Sequence, residues 1–297
     1  MVIFSAFDGI SVAHLSLLRA GINVDKYYAS EVDPYAIKVS QLNFPDIIQL
    51  GDIRTIKGTD LPPIDLLIGG SPCQNLSSLG NGKGLEGQQS KLFFEYLRLL
   101  KELKPKFFVL ENVASMSKKE RQVISDLIGV EPIILNSNSL SPQTRKRLYW
   151  TNIPGVVQPK NLNIKFQDIL SSGFADREKS HTLLCNQLAE TETGLKRYLS
   201  MSTGQLVFRE KYFVELNKEN KLDRYLNIQK LKLNKVPDKE YKNGVFRHIN
   251  IQEAERLQTL PEDYTSGISK SQRFKCLGNS FTCNVIRYIL SFIPKES

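Results

Sequence analysis

The first half of the chain alternates short apolar runs with amphipathic stretches of helical period. The runs "VIFSAF" (2–7), "KYYASE" (26–31), "DIIQLGD" (46–52), "IDLLIGG" (64–70) and "KFFVLE" (106–111), with 131–136 and 147–152, predict strands. Between the first two, "SVAHLSLLRAG" spaces Val12, Leu15 and Leu18 along one helical face and stops at Gly21, a C-terminal cap signal. Asp33-Pro34 opens a helix expected to run through Asn43, with proline in its first turn. "SKLFFEYLRLLKELKP" (90–105) is strongly amphipathic and ends at a proline, and a further helix is expected over 117–128. Such alternation predicts an α/β fold: a doubly wound, mostly parallel sheet with helices on both faces.

From about residue 158 the pattern dissolves. Residues 158–245 hold sixteen Lys/Arg against eleven Asp/Glu, irregular periodicity and two isolated aromatic clusters, and read as a small separate module. Helical patterning resumes at "NIQEAERLQTL" (250–260) and "CNVIRYILSFI" (283–293), so 246–297 is expected to return to the first domain, 1–157.

Composition narrows the options. With 297 residues, 41% of them hydrophobic, the chain can bury a sizeable core, and no apolar run approaches the ~20 residues that span a bilayer. The opening "MVIFSAF" leaves no room for a secretory leader, so a cytoplasmic, reduced setting is expected. Four scattered cysteines without a C-x-x-C pair, and three histidines, argue against a metal site. A formal charge of +9 favours an anionic partner such as nucleic acid.

In open parallel sheets ligands gather at the carboxyl ends of the strands. The residues following the expected strands are, in order, Asp8-Gly9, Glu31, Asp52, Cys73 and Glu111-Asn112. One edge thus collects four carboxylates and a thiol. Glu31 lies 22 positions beyond Gly9, close to the separation at which an acid reaches ribose hydroxyls. "FSAFDGIS" is no G-x-G-x-x-G, however, so a nucleoside without phosphates, such as S-adenosylmethionine, fits better than NAD. A thiolate at Cys73 would be a soft nucleophile, with Glu111 an acid to protonate the electrophile it attacks.

The segments "GGSPCQNLSS", "ENV" (111–113), "QTRKRLYW" (143–150), "INIQEAERLQTLPEDY" (249–264) and "GNSFTCNVIRYI" (278–289) resemble, in order, the motifs of the DNA cytosine-5 methyltransferases. "FSAFDGIS", "ASEVDPYA" and "GLEGQQSKLFFEYLRLL" resemble the de novo branch in a chain of bacterial or phage type. The resemblance covers about 1–157 and 246–297 and implies a Rossmann-like methyltransferase fold with S-adenosylmethionine as cofactor, S-adenosylhomocysteine as product and no metal. It implies that Cys73 adds to C6 of a cytosine flipped out of duplex DNA, that Glu111 hydrogen-bonds or protonates N3, that Arg147 contacts O2 with Arg145 nearby, and that elimination follows methyl transfer to C5. It puts the cofactor against Phe7, Asp8, Gly9, Ile10, Glu31, Val32, Asp52, Ile53, Asn279 and Ser280. Asp8-Gly9 departs from the Ala-Gly-x-Gly usual in bacterial members. Residues 158–245 fall where the family keeps its target-recognition region. DNA contacts are expected from Arg197, Arg209, Lys211 and Arg224 there, and from Gln74, Ser77, Gly82 and Lys83 in a glycine-rich loop after Cys73. That loop, with Gly80, Gly82, Gly84 and Gly87, reads as a lid. Arg256 is expected to brace the fold, Leu257, Leu260 and Trp150 to be core, and Cys185, Cys276 and Cys283 to be packing thiols.

The expected activity is therefore DNA (cytosine-5-)-methyltransferase, acting as a monomer on double-stranded DNA, with a cognate restriction endonuclease as a candidate partner. An RNA cytosine methyltransferase of the same fold and a non-catalytic DNA-binding relative stay open. An adenine amino-methylating enzyme is disfavoured, because Ser-Pro-Cys-Gln stands where Asp/Asn-Pro-Pro-aromatic would be needed.

Overall fold

The computed structural model describes residues 1–71, 91–187, 192–201, 204–219 and 246–294. Seven strands form one sheet in the order β3-β2-β1-β4-β5-β7-β6: β1 (Val2–Ala6), β2 (Lys26–Ser30), β3 (Ile48–Gln49), β4 (Leu66–Gly70), β5 (Phe107–Val113), β6 (Ile133–Asn136) and β7 (Lys146–Thr151). All neighbours are parallel except β7, which runs antiparallel to both β5 and β6. A second, two-stranded antiparallel sheet pairs β8 (Leu206–Phe208) with β9 (Phe246–His248). The helices are α1 (Val12–Arg19), α2 (Pro34–Asn43), α3 (Lys91–Leu103), α4 (Lys118–Ile128), α5 (Glu192–Met201), α6 (Lys211–Lys218), α7 (Ile251–Leu257), α8 (Lys270–Asn279) and α9 (Cys283–Leu290).

The continuous apolar runs arise because the sheet is covered on both faces. Successive residues of a strand enter opposite cores: Leu66, Ile68, Phe107 and Val109 join Leu17 of α1 and Ile286 and Ile289 of α9. Leu67, Phe108 and Leu110 join Phe93 and Tyr96 of α3 and Ile124 of α4. Trp150 is fully buried in this second core, its indole N–H donating to Ser125 Oγ at 3.1 Å.

A third core joins α2, α7 and α8 and takes in Phe166, Leu183 and Val207. The stretch expected to form a separate module therefore contributes to a core shared with the C-terminal helices. A smaller cluster of Tyr198, Leu206, Phe208, Val214 and Phe246 lies wholly within β8, β9, α5 and α6.

Three local expectations need correction. On α1 the inward face is Val12, Ala13, Ser16 and Leu17, while Leu18 is 49% exposed. Small Ala13 and Ser16 allow close approach to α9, and Ser16 Oγ lies 3.1 Å from the Cys283 carbonyl. The strand expected over 46–52 is only Ile48–Gln49, an edge strand paired to Tyr28 and Ala29 and followed by Gly51 at φ 75°. Helix α8 is absent from the apolar pattern because its sequence "KSQRFKCLGN" is mostly polar. Tertiary burial of Phe274, Cys276 and Leu277 holds it.

Candidate active site

The turn between β1 and α1 is built on alternating left-handed residues, Phe7, Gly9 and Ser11, with φ of 55°, 61° and 57°. Only glycine adopts this region without strain, so the turn needs external support at its other two positions. Asp8 supplies it from beneath. Its buried carboxylate accepts from Ser11 Oγ and from the Tyr27 hydroxyl at 2.6 Å, and Ser11 Oγ lies 2.6 Å from Ser40 Oγ. Burial pushes Asp8 up to about 6, opposed by its hydroxyl donors and assisted by nearby Glu31. The Asp8 carboxylate is thus turned inward.

Glu31, just past β2, reaches back to the same turn. One carboxylate oxygen accepts Gly9 N–H at 2.8 Å and the other accepts Val32 N–H at 2.8 Å and Asp33 N–H at 2.9 Å. A Cβ built on Gly9 meets nothing within 4 Å, so open space lies in front of the turn. Ile10 is buried and Val32 exposed. Asp52 caps the short 3-10 turn Ile53–Thr55 by accepting Arg54 N–H at 3.0 Å, and Arg54 beside it holds its carboxyl below the usual range. The Ile53 side chain points into the second core. The carboxylates of Glu31 and Asp52 are acceptors of the kind that suit ribose hydroxyls.

The second half of the site centres on Glu111. It lies inside β5, not beyond it, opposite Gly70 of β4 and Tyr149 of β7. Arg147, at the start of β7, places Nε 2.9 Å from Glu111 Oε1, with both side chains largely shielded from water. Gly70 leaves the room this needs. A Cβ there would stand 3.1 Å from Glu111 Oε2 and 2.9 Å from the Phe281 ring. Next to Glu111, buried Asn112 donates from Nδ2 to Ser71 Oγ at 2.9 Å, anchoring the residue two positions before Cys73. Cys73, Gln74, Ser77, Gly82, Lys83 and the lid glycines lie outside the described residues, as does Arg224.

Arg145, just before β7, turns to backbone carbonyls. It is buried and donates to the carbonyls of Leu183 (3.4 Å), Gly278 (3.1 Å) and Ser280 (3.0 Å). Burial, with Arg147 nearby, draws its guanidinium down to about 10, so it stays charged at neutral pH. Asn279 is exposed and accepts from the Cys185 thiol at 2.9 Å, whereas the buried Ser280 hydroxyl donates to backbone carbonyls. Lys275 of α8 pairs with Asp33 at 2.7 Å. The segment from α8 to Phe281 thus runs from the Glu31–Asp33 loop to Gly70 and Glu111, joining the two halves of the site.

Away from this edge, Arg197 on α5, Arg209 in the β8–α6 connection and Lys211 at the start of α6 are exposed. Arg256 reaches Glu262 and the Ile169 carbonyl, the latter at 2.8 Å, and Leu257 and Leu260 are core. Cys276 and Cys283 are buried, while Cys185 is partly exposed and bonded to Asn279. Gln143, Gln258, Glu253 and Glu255 are buried and hydrogen-bonded; for the last three the signal in the sequence is a polar residue within an apolar helical pattern. Among the described residues, no group of three or more His, Cys, Asp and Glu could hold a metal ion, and no helix is long and apolar enough to cross a membrane.

Residues 1–295 match the family model described as C-5 cytosine-specific DNA methylase. The chain is 31% identical over 247 residues to the orphan methyltransferase M.SPRI of Bacillus phage SPR, covering 78% of this chain and 56% of that protein. To the type II methyltransferase M.NgoBV of Neisseria gonorrhoeae it is 32% identical over 194 residues, 58% of this chain and 46% of the other. The chain therefore spans about half the length of these two relatives. To the type II methyltransferase M.Bsp6I of Bacillus sp. (strain RFL6) it is 29% identical over 313 residues, 99% and 98% of the respective lengths. Among solved structures, the Entamoeba histolytica methyltransferase EhMeth aligns with a TM-score of 0.68 at 16% identity over 98% of this chain and 97% of that one, a likeness of fold alone.

Proposed function

The chain belongs to the C-5 cytosine-specific DNA methylase family, and we propose that it methylates C5 of cytosine in double-stranded DNA. The observation that carries this reading is the Glu111–Arg147 pair held beside Gly70 and Ser71, on the sheet edge that also bears the Gly9–Glu31 turn. A carboxyl group and a guanidinium side by side match N3 and O2 of a cytosine ring.

C5 of cytosine is a poor nucleophile. The Cys73 thiolate bonds to C6, moving ring electrons toward N3, and Glu111 stabilises or protonates that nitrogen while Arg147 donates to O2. The ring becomes an enamine nucleophilic at C5. When bound, S-adenosylmethionine supplies an electrophilic methyl group on a sulfonium. A base then removes the C5 proton, and the electron pair expels the Cys73 sulfur by β-elimination. Glu31 would accept from the ribose hydroxyls, and the 7–11 turn and Asn279 would flank the cofactor. Arg145 acts beside this machinery.

The base must leave the duplex to reach these groups. The 158–245 region supplies target recognition, with Arg197, Arg209, Lys211 and Arg224 on phosphates, and the segment carrying Gln74, Ser77, Gly82 and Lys83 closes over the DNA. The protein acts as a monomer in the cytoplasm of a bacterial or phage-infected cell, and a cognate restriction endonuclease is a candidate partner.

Bisulfite sequencing of a plasmid propagated with the protein tests activity and gives the target site. A 5-fluorocytosine duplex with cofactor should trap a covalent adduct that is absent from Cys73→Ala. No adduct and no methylated cytosine on any duplex would overturn the reading, and methylation of tRNA alone would move the enzyme to RNA.

A further inference from the structure

Gln143 and Arg145, two apart on the approach to β7, close on the backbone of a single distant residue, Leu183. The Leu183 N–H donates to Gln143 Oε1 at 2.9 Å, and the Leu183 carbonyl accepts from Arg145 Nη1 at 3.4 Å. Both side chains continue to the C-terminal region. Gln143 Nε2 donates to the Leu257 carbonyl and Gln258 Oε1, each at 2.9 Å, and Arg145 Nη2 donates to the carbonyls of Gly278 and Ser280. The captured segment is tied further by Thr144 N–H to the Ser180 carbonyl (2.8 Å), Ser180 N–H to the Pro142 carbonyl (2.8 Å) and Thr182 Oγ1 to the Thr144 carbonyl (2.7 Å).

Contact with the 278–280 turn is close. A Cβ on Gly278 would come within 2.5 Å of Cys185 N and 2.7 Å of the Leu184 carbonyl carbon, so the Leu184–Cys185 backbone lies directly on this glycine. One residue on, the Cys185 thiol holds the Asn279 side chain. Arg145 spends its planar fork of donors on these carbonyls, a geometry that lysine cannot reproduce.

We propose that Arg145, with Gln143, is a positioning residue that latches segment 180–185 onto the 278–280 turn, setting the affinity of the cofactor pocket without touching the cytosine ring. The proposal rests on the function above. It gives the paired arginines of "QTRKR" separate tasks: Arg147 serves the base through Glu111, and Arg145 serves the cofactor through Asn279.

Two readouts separate the tasks. One is S-adenosylhomocysteine affinity by calorimetry without DNA. The other is cofactor-free exchange of the cytosine C5 hydrogen with solvent, in which Cys73 adds at C6, water protonates C5, and elimination expels either proton and the sulfur. Arg145→Met should weaken S-adenosylhomocysteine binding by about tenfold or more, while exchange at saturating DNA stays within about threefold of wild type. Arg145→Lys should recover part of the affinity. Arg147→Lys should do the reverse, slowing exchange and leaving affinity unchanged. Gly278→Ala presses on the same contact from the other side and should reproduce the Arg145→Met pattern, which keeps the test decisive if Arg145→Met does not fold. Wild-type affinity in Arg145→Met or Gly278→Ala, or loss of exchange with affinity retained, would overturn the latch. A wild-type protein that neither binds S-adenosylhomocysteine nor exchanges C5 hydrogen would instead overturn the proposed function.

Discussion

Replacing Asp8 by asparagine should change how stability depends on pH, in a direction the site dictates. In the folded protein burial pushes Asp8 from its ordinary value of 3.8 up to about 6. Between those two values the folded state binds more protons than the unfolded state, so stability falls as pH rises through this window and levels off above it. The size of the fall is 1.36 kcal/mol per unit over roughly two units, or about 3 kcal/mol. The asparagine side chain would keep an acceptor for Tyr27 and an amide toward Ser11 but would carry no titrating proton, so Asp8→Asn should lack this fall. His14 and His181, both pushed down to about 4 by burial (with Arg177 adding at His181), contribute stability in the opposite sense. They are common to both proteins and cancel in the difference. Urea unfolding followed by the fluorescence of the single, buried Trp150 gives the needed curves at half-unit intervals from pH 4 to 8. The wild-type minus Asp8→Asn stability should drop by about 2 kcal/mol between pH 4 and 6.5, part of the full effect being already lost at pH 4, and then stay level. A difference that is flat, or that rises with pH, would refute the placement of the Asp8 carboxylate under the 7–11 turn.

Three further substitutions probe the other half of the site. Glu111→Gln preserves shape but removes the charge paired with Arg147, and should cut kcat by about 10²–10⁴ with little change in melting temperature; turnover within threefold of wild type would remove Glu111 from the chemistry. Gly70→Ala forces a methyl group against the Phe281 ring and Glu111 Oε2, and should cost about 1–3 kcal/mol in thermal unfolding and slow turnover; unchanged values would contradict that contact. Asn112→Ala releases Ser71 and should slow adduct formation on 5-fluorocytosine DNA with S-adenosylhomocysteine affinity unaltered; a wild-type trapping rate would count against the anchor.

Much of the Rossmann-like half was readable because its signals are local. Asp33-Pro34 marks the start of α2, where the Asp33 side chain accepts Tyr35 N–H, and the helix ends at Asn43 as its sequence suggests. The doubled core explains why β4 and β5 read as unbroken apolar runs. What escaped depends on distant partners. The Leu183 carbonyl is 38 positions from Arg145 and the Gly278 carbonyl 133, so nothing in "QTRKR" distinguishes an arginine serving backbone from one serving a carboxylate. Helix α8 likewise carries too few apolar residues to announce itself, and the inward face of α1 is decided by α9, which follows more than 260 residues later.

The position of Arg147 follows from the reversal of a single strand. Taking the residue after each parallel strand finds Gly9 and Glu31, because those strands all deliver their carboxyl ends to one edge. Strand β7 runs the other way, pairing Arg147 with Val113 and Thr151 with Val109, so its beginning meets the end of β5. The loop and first residues of β7 therefore arrive at the ligand edge: Arg147 reaches Glu111, and Gln143 and Arg145 turn to Leu183 and the C-terminal turn. Were β7 parallel, its first residues would lie at the opposite edge, a strand length of about 20 Å from the Glu111 end. The antiparallel insertion is thus what lets one short motif supply a cation to the site and fasten the C-terminal segment across it.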